Sequence, residues 1–356
     1  MDKQILELYT DYLLSSFSYT TATGMSIISE GEISHDKVTR FLRSEDFTSS
    51  KLWSLVKKSV RKIEDDESVL VIDDTIEEKP YTDENDIICW HFDHSKGKSV
   101  KGINLLTSLY CNKAASIPVG FQIVKKTEII IDDKTKQQKR KSKKTKNEIY
   151  RELLKGCVKN NLKFKYVLND VWYASTENMN YVKEEIKRDF IMPLKNNRKI
   201  ALSKRDKLNG KYVTVGTLEL KQDKTLTVYL EGVEFPLLLV KQVFKNEDGT
   251  EGILYLVSSD LTLSYNQITT IYHKRWKVER YHQSIKMNAG LCKSPTKTIR
   301  TQTNHVFASI YAFFKIECLR IIKGTNHFAM RAKIYYKATK VAFEEVRKLT
   351  IQLATK

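Results

Sequence analysis

Two predicted strands that end in aspartate constrain the fold of this chain more than any other feature of its sequence. The first covers residues 69–72 (VLVI) and runs directly into Asp73 and Asp74. The second covers residues 164–169 and stops at Asp170. The first is a short, continuous apolar run of the kind typical of strands buried on both faces in an α/β protein. The sequence therefore predicts an α/β fold with carboxylates at the ends of core strands.

Further strands and helices are predicted around these two runs. Residues 103–111 and 119–124 have the composition of strands, and with the first run they predict an antiparallel meander. Residues 199–258 are β-rich and are broken by turn-forming Asn-Gly, Glu-Gly and Asp-Gly pairs. Periodicity predicts helices at residues 147–160, 175–187, 264–287, 302–322 and 335–353, and a strand at 189–193.

The first 64 residues are predicted to be helical and form a region of their own. Apolar residues recur at helical spacing in residues 2–16, and residues 35–45 and 50–63 read as short helices rich in Lys and Arg. A small DNA-binding unit is one interpretation. A helical layer that packs on the main domain is the other.

The charge of the chain favours a polyanionic partner. It has 61 Lys and Arg against 43 Asp and Glu, which gives a formal net charge of +18. A surplus of this size is typical of proteins that bind nucleic acid. Residues 134–146 hold eight Lys or Arg in thirteen positions and predict a basic loop, suited to phosphate contact or merely solvated. The candidate phosphate-binding residues in it are Lys139, Arg140, Lys141, Lys143 and Lys144.

Several protein classes are disfavoured by the sequence. The five cysteines are scattered and never form C-x-x-C, which argues against a disulfide framework or a zinc ribbon. Cys89, His91 and His94 lie close together, but no fourth zinc ligand is evident. The start of the chain lacks a signal core, and no apolar run approaches the ~18–20 residues that span a bilayer. A cytoplasmic protein with no membrane partner is expected.

Three acids are candidates for metal-dependent catalysis. Asp74 ends the first core strand, Asp170 ends the fourth, and Glu279 lies on a later helix. Three carboxylates can hold two divalent cations about 3.5–4 Å apart, and Mg²⁺ or Mn²⁺ suits such oxygen ligands. An Asp after a strand is also a common cap or turn former. Asp73, beside Asp74, leaves the choice of the first acid open at this point.

The predicted helix at 264–287 carries a polar stripe. At about 100° per residue, Tyr272 and Lys286 lie about 20° from Glu279, and Arg275 lies about 40° from it. An ordinary surface ladder of ion pairs has this pattern. A catalytic helix has it too: the Glu binds metal, the Arg and Lys hold phosphates, and the Tyr braces the backbone.

These four residues resemble a signature of bacterial insertion-sequence DDE transposases, the pattern Y-(2)-R-(3)-E-(6)-K, with no error of spacing. Residues 72–75 (IDDT) are similar to the first-acid motif of that group, in which the catalytic Asp immediately precedes a Thr, and this favours Asp74. Residues 168–175 (LNDVWYAS) resemble the second-acid motif, which assigns Asp170. Residues 91–104 also look typical of the group, and the resemblance covers residues 65–325.

The resemblance implies a mixed RNase H-like sheet flanked by helices. The core would comprise residues 65–198 and 261–325, interrupted by a β-rich insertion at 199–260, with a helical C-terminal region at 326–356. It implies metal-dependent cleavage of double-stranded DNA at element ends and strand transfer into target DNA by a cut-and-paste route. It also implies a homodimer in the synaptic complex of a bacterial protein that is nucleoid-associated when bound to DNA.

Some members excise the element through a DNA hairpin with a flipped base stacked on Trp. Trp172 is a candidate for that role, although core packing explains it equally. A hydrolytic nuclease of the same fold is the main alternative function, because the three acids do not distinguish it. A domesticated DNA-binding protein would be expected to lack one of the acids, and all three are present.

Overall fold

Capping side chains set the starts of many helices in the computed structural model, which describes residues 1–133, 136–245 and 249–354. Thr145 and Ser264, for example, each form a capping box with the residue three positions later, so that two backbone N–H groups are satisfied at each start. The helices are α1 (Lys3–Ser15), α2 (Ala22–Ile28), α3 (His35–Arg43), α4 (Ser49–Ile63), α5 (Lys146–Lys159), α6 (Thr176–Asn180), α7 (Lys204–Leu208), α8 (Tyr265–His273), α9 (Trp276–Met287), α10 (Ile299–Lys323) and α11 (His327–Ala354).

The strands follow the apolar runs, with different ends in places. The first strand does not stop at the aspartates but continues through them to Glu78, because residues 73–78 still alternate between buried and more exposed positions. The strands are β1 (Val69–Glu78), β2 (Cys89–Asp93), β3 (Lys98–Cys111), β4 (Ser116–Ile123), β5 (Glu128–Ile131), β6 (Gln138–Lys141), β7 (Tyr166–Leu168), β8 (Asp189–Leu194), β9 (Lys199–Ala201), β10 (Val213–Thr214), β11 (Thr225–Leu230), β12 (Leu237–Lys245) and β13 (Glu251–Ser258).

The chain divides into two compact units, and the unit with residues 53–76 and 104–279 holds the predicted core strands. Its central strands follow the order β4-β3-β1-β7-β8, in which β7 is parallel to both β1 and β8. β3 and β4 are antiparallel neighbours. This mixed α/β sheet has the RNase H-like arrangement, and that predicted fold class is confirmed.

The β-rich segment extends the same sheet rather than forming a separate one. β13 pairs antiparallel with β8, and β12, β11, β9 and β10 follow in that order. The segment therefore lies between the second core Asp and the later helices in sequence, and at the open edge of the core sheet in space.

The other unit combines residues 1–52, 77–103 and 280–356. Aromatic rings form its centre: Phe47 lies 5.2 Å from Phe41 and 5.1 Å from Phe307, measured between ring centroids. The Tyr9 hydroxyl lies 2.9 Å from Nδ1 of buried His305. α1, α3 and α10 thus share one core, while β2 and the first part of β3 form an antiparallel ladder.

Helix α11 belongs to that unit, but only its first residues are buried or partly buried. Every side chain from Ala332 to Leu353 is exposed. No helix among the described residues is long and apolar enough to cross a membrane.

The helix predicted over 264–287 is broken into α8 and α9. At the break, the N–H groups of Lys274 and Arg275 donate to carbonyls three residues back, at 3.0 and 2.9 Å. Bonds of this kind tighten the turn. Neither Pro nor Gly is present at the break, where Tyr272 makes a tertiary hydrogen bond to the carbonyl oxygen of Asn169. The stripe calculated for one continuous helix therefore does not apply across the break.

The predicted basic loop is also corrected, since part of it is a strand. β5 and β6 form an antiparallel pair, in which Ile130 lies opposite Lys139 and Glu128 opposite Lys141. Thr145 then caps α5. Two residues of the basic run, 134 and 135, lie outside the described residues. The predicted helix at 175–187 ends as a π-helical turn, Tyr181–Glu185.

Candidate functional site

The topology brings the predicted acids to one edge of the sheet. β1 and β7 are parallel neighbours, and Val71 lies opposite Leu168. Because parallel strands end on the same side of a sheet, the residues that follow these two positions are placed together. The acids at 73, 74 and 170 are those residues.

Asp170 stands two residues beyond the end of β7 and closes a turn. Its Oδ1 accepts the backbone N–H groups of Trp172 at 2.9 Å and Tyr173 at 3.3 Å. Burial raises the pKa of Asp170 above its ordinary value, although these two hydrogen bonds act against the shift. The turn-forming role expected of such an Asp is therefore real, and Oδ2 is the oxygen left for another ligand.

Asp73 is the more buried member of the β1 acid pair, with 9% of its surface exposed. Its Oδ1 accepts the backbone N–H of Asp74 at 2.9 Å. Burial raises the pKa of Asp73 well above its ordinary value, and the negative charges of Asp170, Asp74 and Glu279 raise it further. Within residues 1–133, 136–245 and 249–354, no lysine or arginine forms an ion pair with it.

Asp74 is held by three side chains. Its Oδ2 accepts a hydrogen bond from Asn104 Nδ2 at 2.7 Å and pairs with Lys146 Nζ at 2.7 Å. Its Oδ1 accepts the hydroxyl of Tyr173. Burial alone would raise the pKa of Asp74, but Lys146 and the hydrogen bonds lower it below its ordinary value. Its negative charge is compensated within the protein.

Glu279 lies in the first turn of α9 and completes the group of acids. One of its carboxylate oxygens lies within 4.8 Å of one from Asp73. Its Oε1 also accepts a hydrogen bond from Arg275 Nη1 at 3.1 Å. Tyr272 is buried and donates its hydroxyl to the carbonyl oxygen of Asn169 at 3.3 Å, which braces the segment leading to Asp170.

The remaining predicted site residues are on other segments of the chain. Lys286 falls in the unit that contains residues 280–356, in the last turn of α9. The β5–β6 hairpin makes its own contacts: Lys139 lies 3.7 Å from Asp132, and Arg140 donates to the carbonyl of Lys126 at 3.3 Å. Lys141, Lys143 and Lys144 are exposed there, and Lys144 forms an ion pair with Glu152.

Trp172 is 46% exposed, and the Lys146 Nζ lies 5.9 Å from the centroid of its ring. An exposed indole argues against the core-packing interpretation. Sequence reasoning missed Lys146 and Asn104 as parts of the site. A signal was present for Asn104, since it is a polar residue inside the apolar run 103–111.

The donor set fits a divalent cation. Asp73, Asp170 and Glu279 are carboxylates, which hard cations such as Mg²⁺ prefer, and the negative charges of Asp170 and Glu279 disfavour the ionised form of Asp73. A bound cation would offset the cost of burying that charge. The carboxyl cluster is thus a possible metal-binding group.

An RNase H-like sheet with clustered carboxylates at the ends of its central strands defines a class of metal-dependent phosphoryl-transfer enzymes. A family model described as DDE superfamily endonuclease matches residues 2–211 of the 356. The chain belongs to this DDE superfamily endonuclease family, and the predicted kinship with DDE transposases is confirmed at that level.

Comparison with solved structures adds a distant likeness. The Drosophila P element transposase strand transfer complex overlaps 58% of this chain and 46% of that chain, at 9% identity and a TM-score of 0.28. This chain therefore spans less than half of that transposase, and a likeness this low carries no argument. A search of curated proteins found no match.

Proposed function

We propose that this DDE superfamily endonuclease is a transposase that cleaves the ends of an insertion element and transfers the strands to target DNA by a cut-and-paste route. The observation that carries the proposal is the carboxyl cluster at the ends of β1 and β7, with Glu279 within 4.8 Å of Asp73. The sequence signature of Tyr272, Arg275, Glu279 and Lys286 favours strand transfer over simple hydrolysis.

Asp170, Glu279 and one acid of the β1 pair would hold two Mg²⁺ or Mn²⁺ ions, and within the pair the sequence motif predicts Asp74. Such ions activate the attacking oxygen and stabilise the leaving oxygen. Tyr272 keeps the segment before Asp170 in place through the Asn169 carbonyl. Arg275 orients Glu279 by their ion pair. We assign phosphate contact to Arg275 and Lys286 on the same signature.

The substrate is proposed to be double-stranded DNA, both element ends and target. The net charge of +18 and the exposed lysines of the β5–β6 hairpin support this assignment. The half-exposed Trp172 ring is assigned to stacking on a flipped base, if excision passes through a DNA hairpin. Two copies would pair in the synaptic complex of a cytoplasmic, nucleoid-associated protein.

The function is tested with the full chain, Mg²⁺ and a duplex that carries the DNA end flanking its own gene. Wild type should release a 3′-OH end and join a pre-cleaved end to a supercoiled plasmid. Glu279→Gln and Asp170→Asn should each lower both products by more than about a hundredfold. Glu251→Gln, at an exposed position of β13, is the matched control and should behave as wild type.

Each outcome separates the alternatives. Cleavage without joining, even of pre-cleaved ends, would establish the hydrolytic nuclease instead. Binding of the duplex without either reaction would favour the DNA-binding protein. Unchanged products from Glu279→Gln would show that the third acid is misassigned.

A further inference from the structure

The two acids of the β1 pair face different surroundings. Successive side chains of a strand point to opposite faces, so Asp73 and Asp74 cannot both turn toward the same ligand. The burial of β1 follows this alternation from Asp73 onward: 73, 75 and 77 are buried, whereas 74 and 76 are partly exposed. The structure therefore forces a choice between them.

Asp73 faces the other catalytic candidates. One of its carboxylate oxygens lies within 4.8 Å of Glu279. Its Oδ1 accepts a hydrogen bond from the backbone N–H of Asp74 at 2.9 Å. Two oxygens that share one Mg²⁺ lie at most about 4.2 Å apart, so a small adjustment of either side chain would bring both onto one ion.

Both carboxylate oxygens of Asp74 already have partners within the protein. Lys146 and Asn104 share its Oδ2, each at 2.7 Å, and the Tyr173 hydroxyl uses its Oδ1. An ammonium group in direct contact with a carboxylate repels a divalent cation at the same oxygens. Displacing Lys146 would also leave a partly buried cation without its partner.

We propose that Asp73 is the metal-binding acid of the pair, and that Asp74 is a positioning residue that fixes Lys146 beside Trp172 for contact with a DNA phosphate. The proposal rests on the proposed function and refines it, since it changes the residue predicted from the motif. Lys146 is the first residue of α5, next to its Thr145 cap, and its side chain is 24% exposed. Its Nζ reaches both Asp74 and the exposed Trp172 ring.

Metal affinity separates the two acids without reference to activity. Binding of Mn²⁺ to the full-length protein is followed by the electron paramagnetic resonance signal of the free ion. Asp73→Asn and Glu279→Gln should weaken binding by at least about tenfold, while Asp74→Asn should stay within about twofold of wild type. Asp73→Ser, smaller than the native side chain, is a second variant, and circular dichroism checks that each protein is folded.

The outcomes distinguish this inference from the proposed function. Weakened binding by Asp74→Asn together with unchanged binding by Asp73→Asn would overturn the inference and restore the motif assignment. Equal weakening by both would overturn the assignment to one acid. A wild type that binds no Mn²⁺ and cleaves no DNA would overturn the proposed function itself.

The positioning role is tested by DNA affinity in chelator, where no metal contributes. Removing a negative charge should by itself strengthen binding to a polyanion. We expect the reverse for Asp74→Asn, whose affinity for DNA should fall by about three- to tenfold, as for Lys146→Gln. The double variant should show no further loss of affinity. Lys146→Gln should also lower the salt dependence by about one phosphate contact, and Lys146→Arg should restore it.

Tighter binding by Asp74→Asn, or multiplied losses in the double variant, would overturn the positioning role. Asp93→Asn provides the matched control, because Asp93 accepts hydrogen bonds from Ser95 and, within the described part of the chain, pairs with no site residue. It should leave the affinity for DNA within about twofold of wild type.

Discussion

At the scale of single residues, the Tyr272 hydroxyl connects helix α8 to the segment that leads to Asp170. It donates from α8 to the carbonyl oxygen of Asn169, immediately before Asp170. The ring of Tyr272 also lies beneath the guanidinium of Arg275, 5.8 Å from its centroid. One side chain thus supports the position of both a carboxylate and the arginine that pairs with Glu279.

Tyr272→Phe should therefore lower activity more than stability. The lost hydrogen bond is expected to cost about 0.5–1 kcal/mol in the free energy of unfolding, measured in urea. Cleavage should fall by about tenfold or more, because Asp170 loses its brace. Tyr265→Phe in the first turn of α8 is the control, and an equal loss of cleavage there would contradict the role of Tyr272.

Glu77 is a buried carboxyl whose ionisation works against folding. Glu77 is 2% exposed, and its Oε1 lies 2.6 Å from Lys79 Nζ. Neither carboxylate oxygen has a well-aligned hydrogen bond among the described residues. Burial raises the pKa of Glu77 to about 6 from 4.5, although Lys79 acts in the opposite direction. Since the folded pKa is the higher one, the proton is taken up on folding, and stability is lost as pH rises from about 4.5 through about 6.

Glu77→Gln should remove this pH dependence. Between about pH 4.5 and about pH 7.5, wild type should lose about 2 kcal/mol of unfolding free energy relative to the variant. Urea unfolding at the two pH values measures it. Glu78→Gln, at the exposed neighbouring position, should leave the wild-type dependence unchanged. Parallel curves for wild type and Glu77→Gln would contradict the shift.

At the scale of elements, the sequence predicted what depends on local pattern. The segments at 69–72 and 164–169 predicted the two central strands, and the position of an acid at the end of each indicated which sheet edge carries the site. It did not predict the break between α8 and α9, because no Pro or Gly marks the break and the contact of Tyr272 there is with Asn169, which is remote in sequence. The choice between Asp73 and Asp74 has the same origin: Lys146 is remote in sequence.

The β5–β6 hairpin is the element for which an electrostatic prediction is sharpest. Replacement of Lys139, Lys141, Lys143 and Lys144 by Gln should weaken binding to all duplexes alike and flatten its salt dependence, because these contacts read phosphate rather than sequence. A filter-binding series over salt concentration measures it. Lys333, Lys337, Lys340 and Lys348 of α11, replaced together, give a control with the same change in charge.

Two results would argue against that role. A loss confined to one DNA sequence would indicate base recognition. A loss equal to that of the α11 control would indicate that net charge alone is responsible.

At the scale of the whole molecule, the sequence-based domain ranges stay a prediction, whereas the fold class is established. The two units are each built from separated stretches of chain. Sequence patterns reflect interactions between residues that are close in sequence. They therefore predict individual helices and strands better than they predict which compact unit each one belongs to. Net charge is a whole-molecule property that the sequence does predict, because it is a sum over all residues and does not depend on the fold.

Pairing of two copies is a property of the assembled molecule. With a duplex that carries the DNA end flanking its gene, light scattering after gel filtration should give a complex with two chains and two ends. A shuffled duplex of the same length is the control and should give no such species. A complex of a single chain with a single duplex at every ratio would contradict the homodimer.

Helix α11 has a consequence for the dynamics of the chain. Helices in proteins owe most of their stability to the packing of an apolar face rather than to helix propensity. From Ala332 to Leu353 this helix has exposed side chains only, while α10 beside it in sequence is buried through most of its length. Backbone amides of the two helices should therefore exchange with deuterium at very different rates, α11 within seconds and α10 only on opening of its core.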